Sequence, residues 1–280
     1  MTIKNVSDTA KWVAEYRAME TDRPDAIFRD PYARRLAGPE GARIVASIPK
    51  GRQFAWPMIV RTAVFDEIIL ERVRAGVDLV LNLAAGLDAR PWRLDLPASL
   101  RWVDVDLPEI LGHKVEEMEM VRPRSRYEAV MLDLTDGPKR RALFSQLGAQ
   151  CTKALVVTEG LLVYLGREQV AELARDLHAQ PTFKWWLIDL ASPMLLKFSE
   201  KSWGKNLKRA PFKFAPEEDT KFFEPYGWKE LTYRLTSDDA QRLKREMRGM
   251  WFWRFLLRFY PKRVKEKFKR FAGNVLLERV

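Results

Sequence analysis

The sequence predicts an α/β fold in which a mostly parallel sheet is covered on both faces by helices. Two observations carry the prediction. Between residues 79 and 190, short apolar runs alternate with amphipathic stretches of helical period, as strands buried on both faces and their crossover helices do. Hydrophobic types also make up 47% of the 280 residues, enough for one large core.

The elements follow in order. A helix-like opening leads into RPDAIFRDPYARRLAG, punctuated by Pro24 and Pro31 and closed by Gly38 and Pro39, which reads as a folded helical cap over residues 1–56. Ile59, Ala63, Val64, Ile68 and Leu70 recur at helical spacing before Gly76, so 57–76 is expected to be a helix with Arg61 in its first turns. Strands are expected at 79–84, 101–105, 128–132, 154–158 and 184–190, with helices near 108–121, 139–147 and 167–179. The polar, aromatic stretch 192–226 has no clean period and reads as an insertion over the sheet edge. GWKELTYRL at 227–235 and NVLLERV at 274–280 supply a sixth and a seventh strand, with a basic helical segment between them.

Composition excludes several classes. Cys151 is the single cysteine, so neither an internal disulfide nor a cysteine-rich zinc site can form, which fits a cytoplasmic protein. His113 and His178 are the only imidazoles, they sit in polar helix-like stretches, and no metal site is expected. The first twenty residues carry no uninterrupted apolar run, so no secretory or anchoring segment is expected there. The net charge of +11 is local: residues 241–270 hold twelve Lys/Arg against two Asp/Glu, and the remainder holds 37 against 36.

The first strand runs into Asn82-Leu83-Ala84-Ala85-Gly86-Leu87-Asp88-Ala89-Arg90, a small-residue turn at the carboxyl end of a parallel strand. Such a turn lets a ligand approach the backbone, although a tight βα connection reads the same way. Asp104 and Asp106, eighteen and twenty residues past Gly86, stand where nucleotide folds place an acid for ribose hydroxyls. Further acids end the third and fourth strands, Asp133 in LDLTD and Glu159 in TEGLLVYL. Carboxylates so arranged repel a pyrophosphate and tolerate a sulfonium, and the turn lacks the dinucleotide glycine pattern. Both points favour S-adenosyl-L-methionine over a nicotinamide cofactor.

RTAVFDEIIL, VLNLAAGLDARPWRL, WVDVDLPEI, LDL and TEGLLVYL, in this order and spacing, resemble the leucine carboxyl methyltransferase family and its bacterial relatives, as does RAMETDRPDAIFRDPYA near the start. The resemblance implies a class I methyltransferase fold: a seven-stranded, mostly parallel Rossmann-like sheet with helices on both faces, plus a helical N-terminal cap and C-terminal insertions. It implies one domain over 1–280, with the cap at 1–56, a cofactor-binding core at 57–190 and a substrate-side region at 191–280. Arg61, with Arg17 beside it, would hold the methionine carboxylate. Ala85, Gly86 and Asp88 would line the methionine portion, Asp104 and Asp106 the ribose, Asp133 and Leu134 the adenine, and Glu159 the amino end. Two positions depart from the family, which has glycine where Ala84 stands and glutamate where Asp104 stands.

The resemblance implies an O-methyltransferase, with a carboxylate of a small acid or peptide as the favoured acceptor and S-adenosyl-L-homocysteine as the product. A carboxylic acid, with a pKa of about 4, arrives ionised and needs no general base, which suits a chain with two histidines. Arg90, Tyr164 or a residue of the 192–226 insertion is expected to orient the acceptor. A phenolic acceptor and a non-catalytic cofactor-binding protein are the alternatives. The segment MWFWRFLLRFYPKRVKEKFKRFAG, with Pro261 between two expected helices, reads either as an amphipathic cover or as a docking surface for an acidic protein or an anionic membrane surface. It is expected to lie far from the strand ends that carry the site, nucleic acid is not expected as a partner, and nothing calls for more than a monomer.

Overall fold

The structure, a computed structural model, describes residues 6–48, 50–203, 211–247, 249–257, 259–262, 266 and 268–280. The cap contains α1 (Val6–Thr21), α2 (Ala33–Ser47) and a 3-10 turn (Gly51–Phe54), and leads into α3 (Trp56–Arg74). Gly38 and Pro39, read from sequence as a stop, instead bend α2: Gly38 sits at φ 58 and helix continues to Ser47. Proline lacks the N–H of the helical ladder and glycine supplies the left-handed φ, so the chain turns and resumes helix.

Next come β1 (Leu79–Leu83), α4 (Arg90–Arg93), β2 (Arg101–Asp106), α5 (Pro108–Met118), β3 (Arg126–Met131), α6 (Gly137–Gly148), β4 (Ala154–Thr158), a 3-10 turn (Leu162–Tyr164), α7 (Arg167–His178) and β5 (Phe183–Ala191). The remainder is α8 (Pro193–Trp203), a 3-10 helix (Asp219–Tyr226), β6 (Trp228–Leu235), α9 (Thr236–Arg242), α10 (Met250–Leu257) and β7 (Ala272–Arg279). All seven expected strands are present, in the order β3-β2-β1-β4-β5-β7-β6. β1 to β5 pair in parallel, and β7 runs antiparallel between β5 and β6. Of the second basic helix expected after Pro261, residues 263–265 and 267 lie outside the described residues.

The alternation of strand side chains builds two cores. Leu79, Leu81 and Leu83 pack with Phe144 and Leu147 of α6 and with Val170 to Leu177 of α7. Val80, Leu155, Val157 and Leu187 face the other way, onto Val60, Val64, Ile68 and Ile69 of α3. Each fully buried side chain of this kind stabilises by about 1.5–3 kcal/mol, so the sheet is held from both sides. Strand order reverses at β1, with β2 on one side and β4 on the other, which opens a crevice at their carboxyl ends.

The topology corrects the expected place of the basic segment. β6 runs in the direction of β5, and Leu235 at its end pairs with Gly273 of β7. Ala191 at the end of β5 pairs with Ala272, and the Ser192 N–H donates to the Phe271 carbonyl at 3.1 Å. Residues 236–271 therefore leave and rejoin the sheet at its carboxyl edge, the edge that carries the crevice. A segment late in the sequence had read as remote, but antiparallel pairing of the last two strands brings both its ends back.

Candidate active site

The turn after β1 is shaped by two left-handed residues, Ala84 at φ 53 and Gly86 at φ 50. Its backbone is tied to β2: the Ala85 N–H donates to the Val105 carbonyl, and the Gly86 N–H donates to Asp106 Oδ2 at 2.6 Å. A side chain at Gly86 would meet the Ala10 Cβ at 3.2 Å, so α1 lies directly over the turn. Arg17 fastens this cover, its Nε donating to Asp30 at 2.8 Å and its Nη2 to the Leu87 carbonyl at 2.5 Å.

The two β2 acids part company. Asp104 is fully buried, accepting from Lys114 Nζ at 2.7 Å, from Trp102 Nε1 at 2.8 Å and from Asn82 at 3.0 Å. It is sealed beneath the turn, whereas the expectation put it on the ribose. Asp106, one pleat further along, ends the strand beside Gly86. Burial pushes its carboxyl above the usual range despite the N–H donors of Gly86 and Leu107.

Four arginines and five carboxylates interlock across the crevice. Arg61 donates to Glu159 at 3.0 Å and to Asp189 at 2.9 Å. Arg90 donates to Asp66 at 2.6 Å, to Asp88 at 2.8 Å and to Glu159 at 2.7 Å. Arg93 reaches Asp66 at 2.7 Å and approaches Asp30, which Arg17 also holds. Counted as ions, this set keeps one negative charge in excess. Burial alone would raise the Glu159 carboxyl, but Arg90 and then Arg61 outweigh it and hold it below the usual range. At Asp88 burial likewise works upward, and Arg90, Arg17, Lys114 and Arg93 bring the carboxyl down to about 2.

Arg90 is 2% exposed with its guanidinium committed to three carboxylates and the Thr62 carbonyl. The expectation that it meets an acceptor is corrected on that ground, since an acceptor cannot reach it. Tyr164 lies on the 3-10 turn after β4. Its hydroxyl hydrogen-bonds the Thr9 side chain, burial raises its pKa, and its ring lies 5.5 Å from that of Phe212. The Lys213 N–H donates to the Val163 carbonyl at 2.7 Å, so the insertion runs back over this turn. Gly160, at φ 69, keeps the ground beside Arg61 open: an added Cβ would meet Arg61 Nη1 at 3.3 Å. Asp133 stands exposed at the end of β3, capping Thr135, with Leu134 half-buried behind it. Among the described residues no group of histidine, cysteine, aspartate or glutamate is placed to hold a metal ion, and no helix is long and apolar enough to cross a membrane.

The model of the leucine carboxyl methyltransferase family matches residues 10–178. This chain belongs to that family. The leucine carboxyl methyltransferase match runs from α1 through α7 and includes every candidate from Arg17 to Tyr164. A Mycobacteroides abscessus protein, named a candidate S-adenosyl-L-methionine-dependent methyltransferase, is 34% identical over 193 residues, 62% of this chain and 61% of the relative. The chain thus spans about three fifths of that relative's length. A Frankia alni protein of the same description is 29% identical over 260 residues, 86% of this chain and 89% of the relative. Among solved structures, a candidate methyltransferase from Thermobifida fusca, 14% identical, superposes with a TM-score of 0.58 over 98% of this chain and 94% of the other, a likeness of fold.

Outside the leucine carboxyl methyltransferase match lies Asp189, which sequence reading passed over. It lies near the end of β5 as Glu159 follows β4, and it accepts from both Arg61 and the Gly160 N–H, at 2.9 and 2.6 Å. Asp66, Asp30, Arg93 and Lys114 were also missed. Asp30, Asp66 and Arg93 stood inside the recognised segments, so the signal was present, but nothing in a linear sequence shows that both acids face Arg93.

Proposed function

We propose that this chain binds S-adenosyl-L-methionine and methylates a carboxylate of a small acid or peptide, releasing S-adenosyl-L-homocysteine. The observation that carries the reading is the arginine–carboxylate cluster with its excess negative charge, set at the strand-order reversal beneath a backbone turn. A cofactor bearing a sulfonium, an ammonium and a carboxylate has a net charge of +1, which this cluster complements and a pyrophosphate does not.

Residue roles follow from position. Arg61, held by Glu159 and Asp189, presents its edge beside Gly160 and would receive the methionine carboxylate. Glu159, kept ionised by Arg90 and Arg61, would receive the ammonium. Asp106, not Asp104, would hold the ribose hydroxyls, and Leu134 with Asp133 would border the adenine. Arg90 is a positioning residue that fixes Glu159 and Asp88. The cofactor supplies an electrophilic methyl group to be attacked in line by the acceptor oxygen. Tyr164, kept as a neutral phenol, would donate a hydrogen bond that orients the acceptor carboxylate.

The lack of a histidine base at the crevice supports a carboxylate over a phenol. His113 Nε2 lies 3.1 Å from the Leu36 carbonyl, and His178 Nε2 lies 3.1 Å from the Val280 carbonyl. A carboxylate needs no deprotonation, whereas a phenol of pKa about 10 does. Calorimetric titration with S-adenosyl-L-methionine and S-adenosyl-L-homocysteine tests the first half. Micromolar binding is expected, lost in Arg61→Ala with the fold retained, and absence of binding by the intact chain overturns the reading. Screening acids and phenols with a methyl-labelled cofactor tests the second half. Methyl esters release volatile methanol in mild base, and a product stable to base would mean an ether and a phenolic acceptor.

A further inference from the structure

Residues 246–269 carry eight Lys/Arg against two glutamates, together with seven aromatic side chains. The ends of this stretch are fastened to the body. Before it, Arg242 pairs with Glu67 and Asp239, and Arg245, itself buried, pairs with Glu20 of α1 at 2.8 Å. After it, Arg270 pairs with Asp219 and Glu230 and lies over the Tyr233 ring at 3.9 Å. Several described aromatic side chains between these anchors are turned outward. Phe255 is 49% exposed, Phe259 73%, Tyr260 46% and Phe268 37%, and Phe252 is exposed as well. Phe252, Phe255 and Phe259 recur at the spacing of one helical face, and the Phe255 and Phe259 rings meet edge to face at 5.3 Å. Lys262 and Lys269 are exposed beside them.

We propose that this excursion binds the surface of an anionic lipid bilayer, the aromatic rings entering the headgroup boundary and the lysines and arginines contacting the lipid charge. Charge complementarity selects the occupant, and the aromatics select a bilayer over an acidic protein. An acidic surface rewards the cations but gives no burial to this many outward phenyl rings, whereas an interfacial segment uses both. Because the excursion leaves and rejoins the sheet at the carboxyl edge, membrane contact would hold the crevice next to the bilayer. The inference is independent of the cofactor.

The test is flotation of the full chain with phosphatidylcholine vesicles, alone or containing about a third phosphatidylglycerol, at low and high salt. Binding to the anionic vesicles only, weakened at high salt, is expected. Both Phe255→Ser/Phe259→Ser and Lys262→Glu/Lys269→Glu are expected to weaken it by about tenfold or more while circular dichroism and cofactor titration stay as in the parent. No flotation, equal flotation with neutral vesicles, or an undiminished phenylalanine variant would overturn the proposal. Binding to polyglutamate that ignores the phenylalanine pair would instead assign the surface to an acidic protein. Unchanged cofactor titration in the variants keeps this outcome separate from the fate of the methyltransferase reading.

Discussion

Ala84 holds a left-handed conformation that costs a residue with a Cβ about 1–2 kcal/mol relative to glycine. Glycine at this position relieves the strain but loses about 0.4–1 kcal/mol through the freer unfolded chain, so Ala84→Gly should leave the protein as stable as the parent or more stable by up to about 1.6 kcal/mol. Ala84→Val, a β-branched residue forced to positive φ, should lose about 2 kcal/mol or more in urea unfolding. Equal stability of all three proteins would mean that the turn is not held as described. Asp88 makes a second residue-scale prediction. Its carboxyl falls from 3.8 in the unfolded chain to about 2, because Arg90 and its neighbours outweigh the burial that opposes them. A depressed acid contributes stability above its unfolded value, so about 2 kcal/mol is present in full above about pH 4 and is lost as the pH falls through 2. In Asp88→Asn that part of the acid dependence should vanish, and an unchanged slope of stability between pH 4 and 2 would contradict the assignment.

At the scale of elements, α1 is a cover held down by buried ion pairs, Arg17 with Asp30 beside the turn and Glu20 with Arg245 at its far end. Removing Arg17 leaves Asp30, whose side chain is fully buried, with the Tyr32 N–H at 3.2 Å and, as cation among the described residues, the more distant Arg93 at 3.8 Å. Arg17→Met should therefore cost about 3 kcal/mol, and Arg17→Met/Asp30→Asn should recover part of it. Amide exchange in the 84–88 turn should accelerate in the single variant, because the Leu87 carbonyl loses its donor; an unchanged exchange rate would detach α1 from the turn. The sheet was legible in the sequence because strands buried on both faces leave continuous apolar runs, and those at 79–84 and 154–158 reappear as β1 and β4 within a residue. Four-residue α4 was not, since it is too short to show a period. Arg90 was misread for a related reason. An arginine in a sequence reads as surface, and its burial depends on carboxylates 24, 2 and 69 residues away, which only folding brings together. Alternation put Asp104 and Asp106 on one face, and only the position of the strand end separated the sealed acid from the accessible one.

Over the whole molecule, one polar cluster joins α1, the loop at Asp30, α3, α4 and the ends of β1, β4 and β5. Arg17 belongs to the cap and Asp189 to β5, so a ligand seated among these groups touches parts of the fold that otherwise meet through separate hydrophobic cores. The proposed cofactor should therefore stabilise cap and sheet together, shifting a single transition. A ligand at a hundred times its dissociation constant adds about 2.7 kcal/mol to the folded state. For a chain of this size that corresponds to a rise of about 5 °C in the thermal midpoint. S-adenosyl-L-methionine should produce such a rise, nicotinamide adenine dinucleotide should not, and Arg61→Ala should abolish it. If the rise were confined to a minor early transition, with the main one unmoved, the cluster would be a local clasp on the cap and the cofactor would lie elsewhere; if both cofactors raised the midpoint equally, the charge complementarity on which the methyltransferase reading rests would fail.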